Sequence, residues 1–137
     1  MTNLKINKLY PDTQVDLPNP YFDLRIHSFH KIPYLGNEII ESDRQTYRMV
    51  SLERIIVKCG FSIELEEDCS LFIFSRMAGA IKDGLMVFSN SLVGNGEGKE
   101  IEVLLYNSSD GILLLQKGYR IARAVIIKRE SYIQIND

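Results

Sequence analysis

The sequence predicts an all-β domain with one short helix. Three observations carry this. Apolar residues alternate with polar ones along much of the chain, the alternating stretches are short and rich in β-branched residues, and turn-forming pairs separate them. Several short strands at regular spacing point to an antiparallel sandwich or barrel. With 137 residues, 45% of them hydrophobic, the chain is expected to form one domain over 1–137. That is enough to bury a core without disulfide or metal staples.

The elements follow in order. Leu4 and Ile6 open the first alternating stretch, and Pro11-Asp12 closes it. Pro18-Asn19-Pro20 marks a second turn. The polar, irregular segment from Tyr34 to Thr46, with Gly36-Asn37 inside it, reads as a long loop or a hairpin insertion. Val57, Cys59, Phe61, Ile63 and Leu65 share one face of the clearest strand, which Glu67-Asp68 ends. Only Ser75–Gly84 reads as helix. There Met77, Ala80 and Ile81 recur at helical spacing, Ser75 is placed to cap the start, and Gly84 to end it in a left-handed turn. Three glycines between Gly94 and Lys99 demand a mobile or sharply turned loop. Ile101, Val103 and Leu105 line another strand face. Past the turn Ser108-Ser109-Asp110-Gly111, Ile112 and Leu114 line a fourth. Lys117-Gly118 turns the chain into a last strand from Ile121 through Ile126.

Composition narrows the function. A net charge of −2 leaves no footprint for a polyanion, so neither nucleic acid nor an anionic membrane is an expected partner. Cys59 and Cys69 form no CxxC pair, and His27 and His30 lie far from them in sequence, so the spacing of a four-ligand zinc site is missing. The cysteines are expected as reduced thiols packed as small hydrophobes, with no metal. MTNLKINKLYPD has no basic-then-apolar leader pattern, and no apolar run approaches the ~18 residues of a membrane helix. The expected location is the cytoplasm, or a host's cytoplasm for a viral protein.

The block from Val57 to Ile126, VKCGFSIELEEDCSLFIFSRMAGAIKDGLMVFSNSLVGNGEGKEIEVLLYNSSDGILLLQKGYRIARAVI, resembles the core of a homotrimeric dUTPase. The opening MTNLKINKLYPD is similar to that family's first strand, and Tyr21-Phe22-Asp23-Leu24 falls at its first motif. The order and spacing of these pieces carry the resemblance over nearly the whole chain. It implies a distorted jelly-roll β-barrel, assembled as a homotrimer with active sites between subunits. It also implies hydrolysis of dUTP to dUMP and pyrophosphate with Mg2+.

The family's five motifs are only partly matched. The first resembles Ala-Gly-x-Asp. Here Asp23 stays, as an anion-site residue or a turn-capping carboxylate, and Tyr21 replaces the glycine. The second resembles Arg-Ser-Ser, where arginine and hydroxyls hold phosphate. Here Arg76 stays and Met77-Ala78 replace the hydroxyls, leaving Arg76 to grip phosphate or to pair across a trimer interface. The third supplies the aspartate that activates water and the tyrosine that packs on the deoxyribose. Aligned from Glu100-Ile101, Gly94 stands at the aspartate and Glu97 at the tyrosine. No shift of the gap brings in an aspartate, so Glu97 is the one weak candidate for a general base. The fourth resembles Arg-Ile-Ala-Gln. Here it is Arg120-Ile121-Ala122-Arg123, with Arg123 in place of the phosphate-contacting glutamine and Arg120 expected to be structural. No fifth-motif arm is expected, since the sequence stops at Asn136-Asp137. Gly60, Gly84, Asn107 and Gly118 stand where the fold needs them.

The expected function is therefore a catalytically inactive dUTPase-like protein that acts by binding. Its ligand would be a host or cellular protein, or a nucleotide-like anion held at Arg76, Arg123 and Asp23, with no cofactor. The alternative is an active nucleoside-triphosphate pyrophosphatase with a site remodelled from Arg76, Lys99, Glu97 and Arg123, which would use Mg2+. A structural spacer subunit is the third reading. Lys82 is expected to solvate the short helix. Tyr47, Tyr106 and Tyr119 resemble stacking platforms, but Tyr106 lies in a strand stretch and is expected as core or sheet surface.

Overall fold

The long strand with Val57 and Phe61 organises the molecule. In the computed structural model, which describes residues 4–16, 21–32, 38–39, 45–76, 82–88, 92–93, 98–128 and 135–136, twelve strands are found. They are β1 (Leu4–Lys8), β2 (Tyr21–Arg25), β3 (Ser28–Lys31), β4 (Glu38–Ile39), β5 (Thr46–Met49), β6 (Arg54–Leu65), β7 (Cys69–Ser75), β8 (Leu85–Phe88), β9 (Leu92–Val93), β10 (Glu100–Asn107), β11 (Leu113–Gln116) and β12 (Arg120–Lys128). Among the described residues only Lys82 and Asp83 are helical. One sheet runs β4-β3-β6-β10-β8, with β1 also on β6. A second runs β2-β12-β7-β9, and β5 pairs with β11. All pairings are antiparallel.

Strand β6 serves three partners. β10 takes one edge from Arg54 to Ser62. The other edge is divided between β3, opposite Ile55–Lys58, and β1, opposite Phe61–Leu65. The handover falls at Gly60, whose φ is +80°. There its carbonyl accepts from Leu9 N at 2.9 Å and from Thr13 Oγ1 at 2.9 Å, and its N–H donates to Glu100 Oε2 at 2.8 Å. Val57, Cys59, Phe61 and Ile63 all point into the core, as their alternation predicts, and meet Ile101, Val103 and Leu105 of β10. Phe22 and Leu24 of β2, Leu71 of β7 and Ala122 and Ala124 of β12 close the core from the second sheet. The fully buried Asn107 ties this layer to the β5 side: Nδ2 donates to the carbonyls of Met49, Val50 and Gly111, while Oδ1 accepts from Ser109 N and Oγ.

Two expectations need correction. Ile112 and Leu114 are not a core face: both are exposed, and Leu115 is the buried residue of β11. Leu115 stands opposite the buried Tyr47, and Leu113 opposite the buried Met49. In an unbroken run Ile112-Leu113-Leu114-Leu115 the period of two is silent about phase, and a one-residue shift exchanges the faces. Ser75 ends β7, and its hydroxyl accepts from Val87 N at 3.0 Å, while the expected helix lies outside the described residues up to Ile81. Asp23 does not cap a turn; it lies in the middle of β2. Gly84 has the expected left-handed conformation, φ +73°, directly after Lys82-Asp83. Of the segment 34–46, Glu38 and Ile39 pair with β3 as a hairpin and Thr46 begins β5. Met77, Ala78, Gly94 and Glu97 lie outside the described residues.

The strap between β1 and β2 is latched onto the second sheet. Asp12 receives a hydrogen bond from Lys117 Nζ at 2.6 Å and meets His27 Nε2 at 3.0 Å. Tyr10 stacks on the His27 ring, with centroids 4.4 Å apart. The Lys117 bond, then His27, holds the Asp12 carboxyl down from 3.8 to about 2. A depressed carboxylate stabilises the fold above its unfolded pKa and loses that contribution as pH falls through the folded one. Urea midpoints of the wild-type protein and Asp12→Asn should therefore differ above pH 4 and converge as the pH drops through about 2. A second prediction concerns Gly60. A Cβ there would stand 2.7 Å from Thr13 Oγ1 and 2.8 Å from His27 Cγ. With the positive-φ strain added, Gly60→Ala should cost about 3 kcal/mol in denaturant unfolding.

Candidate functional site

The antiparallel register of β2 and β12 places Asp23 directly opposite Arg123. A bulge between Arg120 and Ala122 interrupts that register. Ile121 and Ala122 are both buried in succession, so the alternation is reset. Arg120 and Arg123, three apart, consequently point to the same outer side, where strict alternation would send them to opposite faces. β7 pairs with the other edge of β12 and ends at Ser75, which delivers Arg76 to the same place. Arg76 Nη1 donates to the Arg120 carbonyl at 3.1 Å.

Three guanidinium groups thus surround one carboxylate. Asp23 Oδ1 lies 3.6 Å from Arg76 Nε and 3.5 Å from Arg123 Nε, and Oδ2 lies 3.6 Å from Arg120 Nε. Arg120 Nε also reaches Asp16 Oδ2 at 3.4 Å, and Arg25 Nε donates to Asp16 Oδ1 at 2.9 Å. Four arginines against two aspartates leave the cluster positive. Arg123 also sits over the Tyr21 ring, with its Cζ 4.7 Å from the centroid. Asp23 Oδ1 and Arg76 Nε are buried yet have no hydrogen-bond partner among the described residues.

The sequence-predicted anion residues Arg76, Arg123 and Asp23 are therefore brought together. Arg120, expected to be structural, is a full member of the cluster, and Arg25 and Asp16 went unnoticed. The bulge that turns Arg120 outward has no sequence signature. Arg25 was legible only as a basic residue two positions after Asp23, on the same face of a strand. Lys99 belongs elsewhere. With Ile56, Lys58, Phe88, Glu100 and Glu102 it lines a groove of about 870 Å³ that no member of the cluster borders. Tyr47 is buried against Phe29 and hydrogen-bonded to Glu53. Lys82 is exposed.

Among the described residues, the carboxylates and thiols below favour neither metal nor thiol chemistry. Mg2+ does not fit at Asp23, because three arginine nitrogens within 3.6 Å already claim its oxygens and would repel a cation. Glu66, Asp68 and Cys69 bring their ligand atoms within 4.8 Å of one another at the β6–β7 turn. Cys69 is fully buried there, and Asp68 pairs with Lys128 at 3.7 Å. Burial, reinforced by Glu100, pushes the Cys59 thiol up to about 12, so it is no nucleophile.

Asp23 holds three like charges together, which gives a direct prediction. Asp23→Ala should unfold at lower temperature than the wild-type protein in dilute buffer, and added salt should shrink the gap by screening the arginines from one another. Thermal melts at about 20 and 300 mM ionic strength make the comparison.

No protein-family model matches the chain. It is 37% identical over 76 residues to the deoxyuridine 5'-triphosphate nucleotidohydrolase of Hydrogenobaculum sp. (strain Y04AAS1), covering 55% of this chain and 53% of the relative. It is 38% identical over 80 residues to the protein of the same name from Cytophaga hutchinsonii, covering 58% and 52%. The chain thus spans about half the length of the curated relatives it matches. Solved structures similar in fold include a mutant dUTPase of phage phi11 of S. aureus, whose description names a structural Mg(II) ion. That likeness has a TM-score of 0.76 at 11% identity and covers 98% of this chain and 96% of the other. The Staphylococcus bacteriophage 80alpha dUTPase with dUpNHpp gives 0.75 at 13% identity, covering 98% and 88%. The native EIAV dUTPase gives 0.70 at 15% identity, covering 98% and 95%. The all-β fold expected from the sequence is thus the dUTPase fold. The chain is similar to dUTPases in sequence over about half its length and in fold over nearly all of it.

Proposed function

We propose that this chain, one dUTPase-like domain over residues 1–137, is catalytically inactive and acts by binding a nucleotide-like anion. The observation that carries the reading is the convergence of Arg76, Arg120 and Arg123 on Asp23. Guanidinium groups bind phosphate oxygens through paired N–H donors, and three of them in one place suit a polyphosphate. The inactive half of the reading rests on the sequence: no aspartate occurs between Asp83 and Asp110, where the third-motif base belongs. The proposed assembly is a homotrimer. In its support, Tyr21, Phe72, Phe74 and Ile127 lie exposed on β2, β7 and β12 beside the cluster, a face suited to covering by another subunit. The viral and cytoplasmic setting belongs to the same reading. Its supports are the phage and EIAV fold neighbours and a described chain in which no helix is long and apolar enough to cross a membrane.

The two sequence relatives favour a second reading, an active nucleoside-triphosphate pyrophosphatase, because both carry the name of a dUTP-hydrolysing enzyme. Glu97 would then be its general base. Purified protein with dUTP, the other deoxynucleoside triphosphates and Mg2+ separates the two. The expected result is no pyrophosphate release, together with dUTP binding that Arg76→Ala or Arg123→Ala weakens by about tenfold. Turnover abolished by Glu97→Gln establishes the hydrolase instead. Native mass spectrometry is expected to show three copies, and a monomer overturns the assembly.

A further inference from the structure

We propose that Asp23 is an internal counter-anion, which competes with incoming phosphate for Arg76, Arg120 and Arg123 and so sets the affinity of the site. This rests on the anion-binding reading above. It goes beyond that reading by giving Asp23 a role opposed to the ligand's.

The contact lengths point this way. Charge-assisted N–H···O bonds run to about 2.7–2.9 Å. The three Asp23 contacts are 3.5–3.6 Å, so the carboxylate neutralises its neighbours without hydrogen-bonding them at Nε. Asp23 Oδ1 and Arg76 Nε accordingly lack hydrogen-bond partners. The arginines are gathered but not saturated. Of the Arg76 donors, Nη1 is engaged by the Arg120 carbonyl.

Exposure decides who can be reached. The Asp23 side chain is 19% exposed, and those of Arg120 and Arg123 are 48% and 46% exposed. An anion from solvent therefore meets the guanidinium groups on the side away from Asp23. A singly charged carboxylate offers these groups no more than Asp23 already does. A phosphoryl or pyrophosphoryl group, with more charge and more acceptor oxygens, engages several arginines at once. The ligand class selected is thus a phosphate with at least two negative charges. Asp23 keeps the like-charged arginines together until such a group arrives, and weakens its binding by repulsion.

Isothermal titration with inorganic pyrophosphate, without metal and at low ionic strength, tests this on the full chain. Asp23→Asn removes the competing charge and keeps the shape, and should bind pyrophosphate about fivefold or more tightly than the wild-type protein. Equal or weaker binding by an Asp23→Asn protein with wild-type circular dichroism overturns the proposal and leaves the anion site standing. Should that variant fail to fold, carbon NMR of the wild-type protein decides. The Asp23 carboxyl resonance is expected to move as pyrophosphate saturates the site, and an unmoved resonance overturns the proposal. Arg123→Gln should weaken pyrophosphate binding. If it does not, or if no protein binds pyrophosphate, the anion-binding reading itself fails and the role of Asp23 falls with it.

Discussion

The described fold depends on one backbone constraint in β6. A strand edge has one set of hydrogen-bonding groups, and β6 lends this edge first to β3 and then to β1. The change of partner requires a local kink, and Gly60 provides it at φ +80°. Its missing side chain also admits Thr13 and His27 into the space a Cβ would fill. The strap from Leu9 to Asp16 is positioned by this contact, and through it the second sheet. Asp12 reaches Lys117, Gly118 N donates to the Ile26 carbonyl at 2.8 Å, and Arg25 Nη1 donates to the Gly118 carbonyl at 3.0 Å. These bonds fix where β12 begins relative to β2. That start, with the bulge after Arg120, puts Arg123 opposite Asp23.

The arginine cluster is consequently a product of register rather than of local sequence. Its members come from the strap, β2, the end of β7 and β12, up to 107 positions apart in sequence. Guanidinium groups held this close repel one another, and surface exposure lets water and salt screen only part of that repulsion. Asp23 offsets much of the remainder from the middle of the group, and Asp16 does the same for Arg25 and Arg120. A cluster with both features, excess positive charge and an internal carboxylate, is neither an ordinary surface ion pair nor a fully neutralised network. Surface pairs contribute little and gather no surplus charge. This one leaves charge over.

Much of the fold was legible because two strands are half-buried and read cleanly. β10 alternates cleanly, and in β6 the selected Val57, Cys59, Phe61 and Ile63 are all buried, although Gly60 and Ser62 between them are buried as well. β11 was misread because four consecutive apolar residues carry no phase, and only pairing with the buried Tyr47 and Met49 supplies it. The site was legible in part for a related reason. Arg76, Arg123 and Asp23 stood at recognisable motif positions, so their meeting could be expected. Asp23 as a strand residue could not, since an aspartate near Pro18 and Pro20 has the composition of a turn. Arg120 was hidden by the bulge, because an interval of three in a strand means opposite faces until the register slips.

The same geometry separates two abilities that a nucleotide hydrolase must combine. Gripping a polyphosphate needs cations at fixed positions. Attacking it needs a carboxylate free to take a proton from water. Asp23 is the carboxylate at the centre of the cluster, but with three arginines within 3.6 Å both of its oxygens face guanidinium groups. Asp16 is similarly held by Arg25 and Arg120. Any base must therefore come from outside the cluster, and the sequence between Gly94 and Lys99 offers Glu97 alone. The arginine cluster depends only on pairing among β2, β7 and β12, so it persists for as long as those strands keep their register. The hydrolytic half depends on one side chain in a glycine-rich segment. Loss of the second without the first needs no change in the fold, and that asymmetry favours reading the chain as a binder.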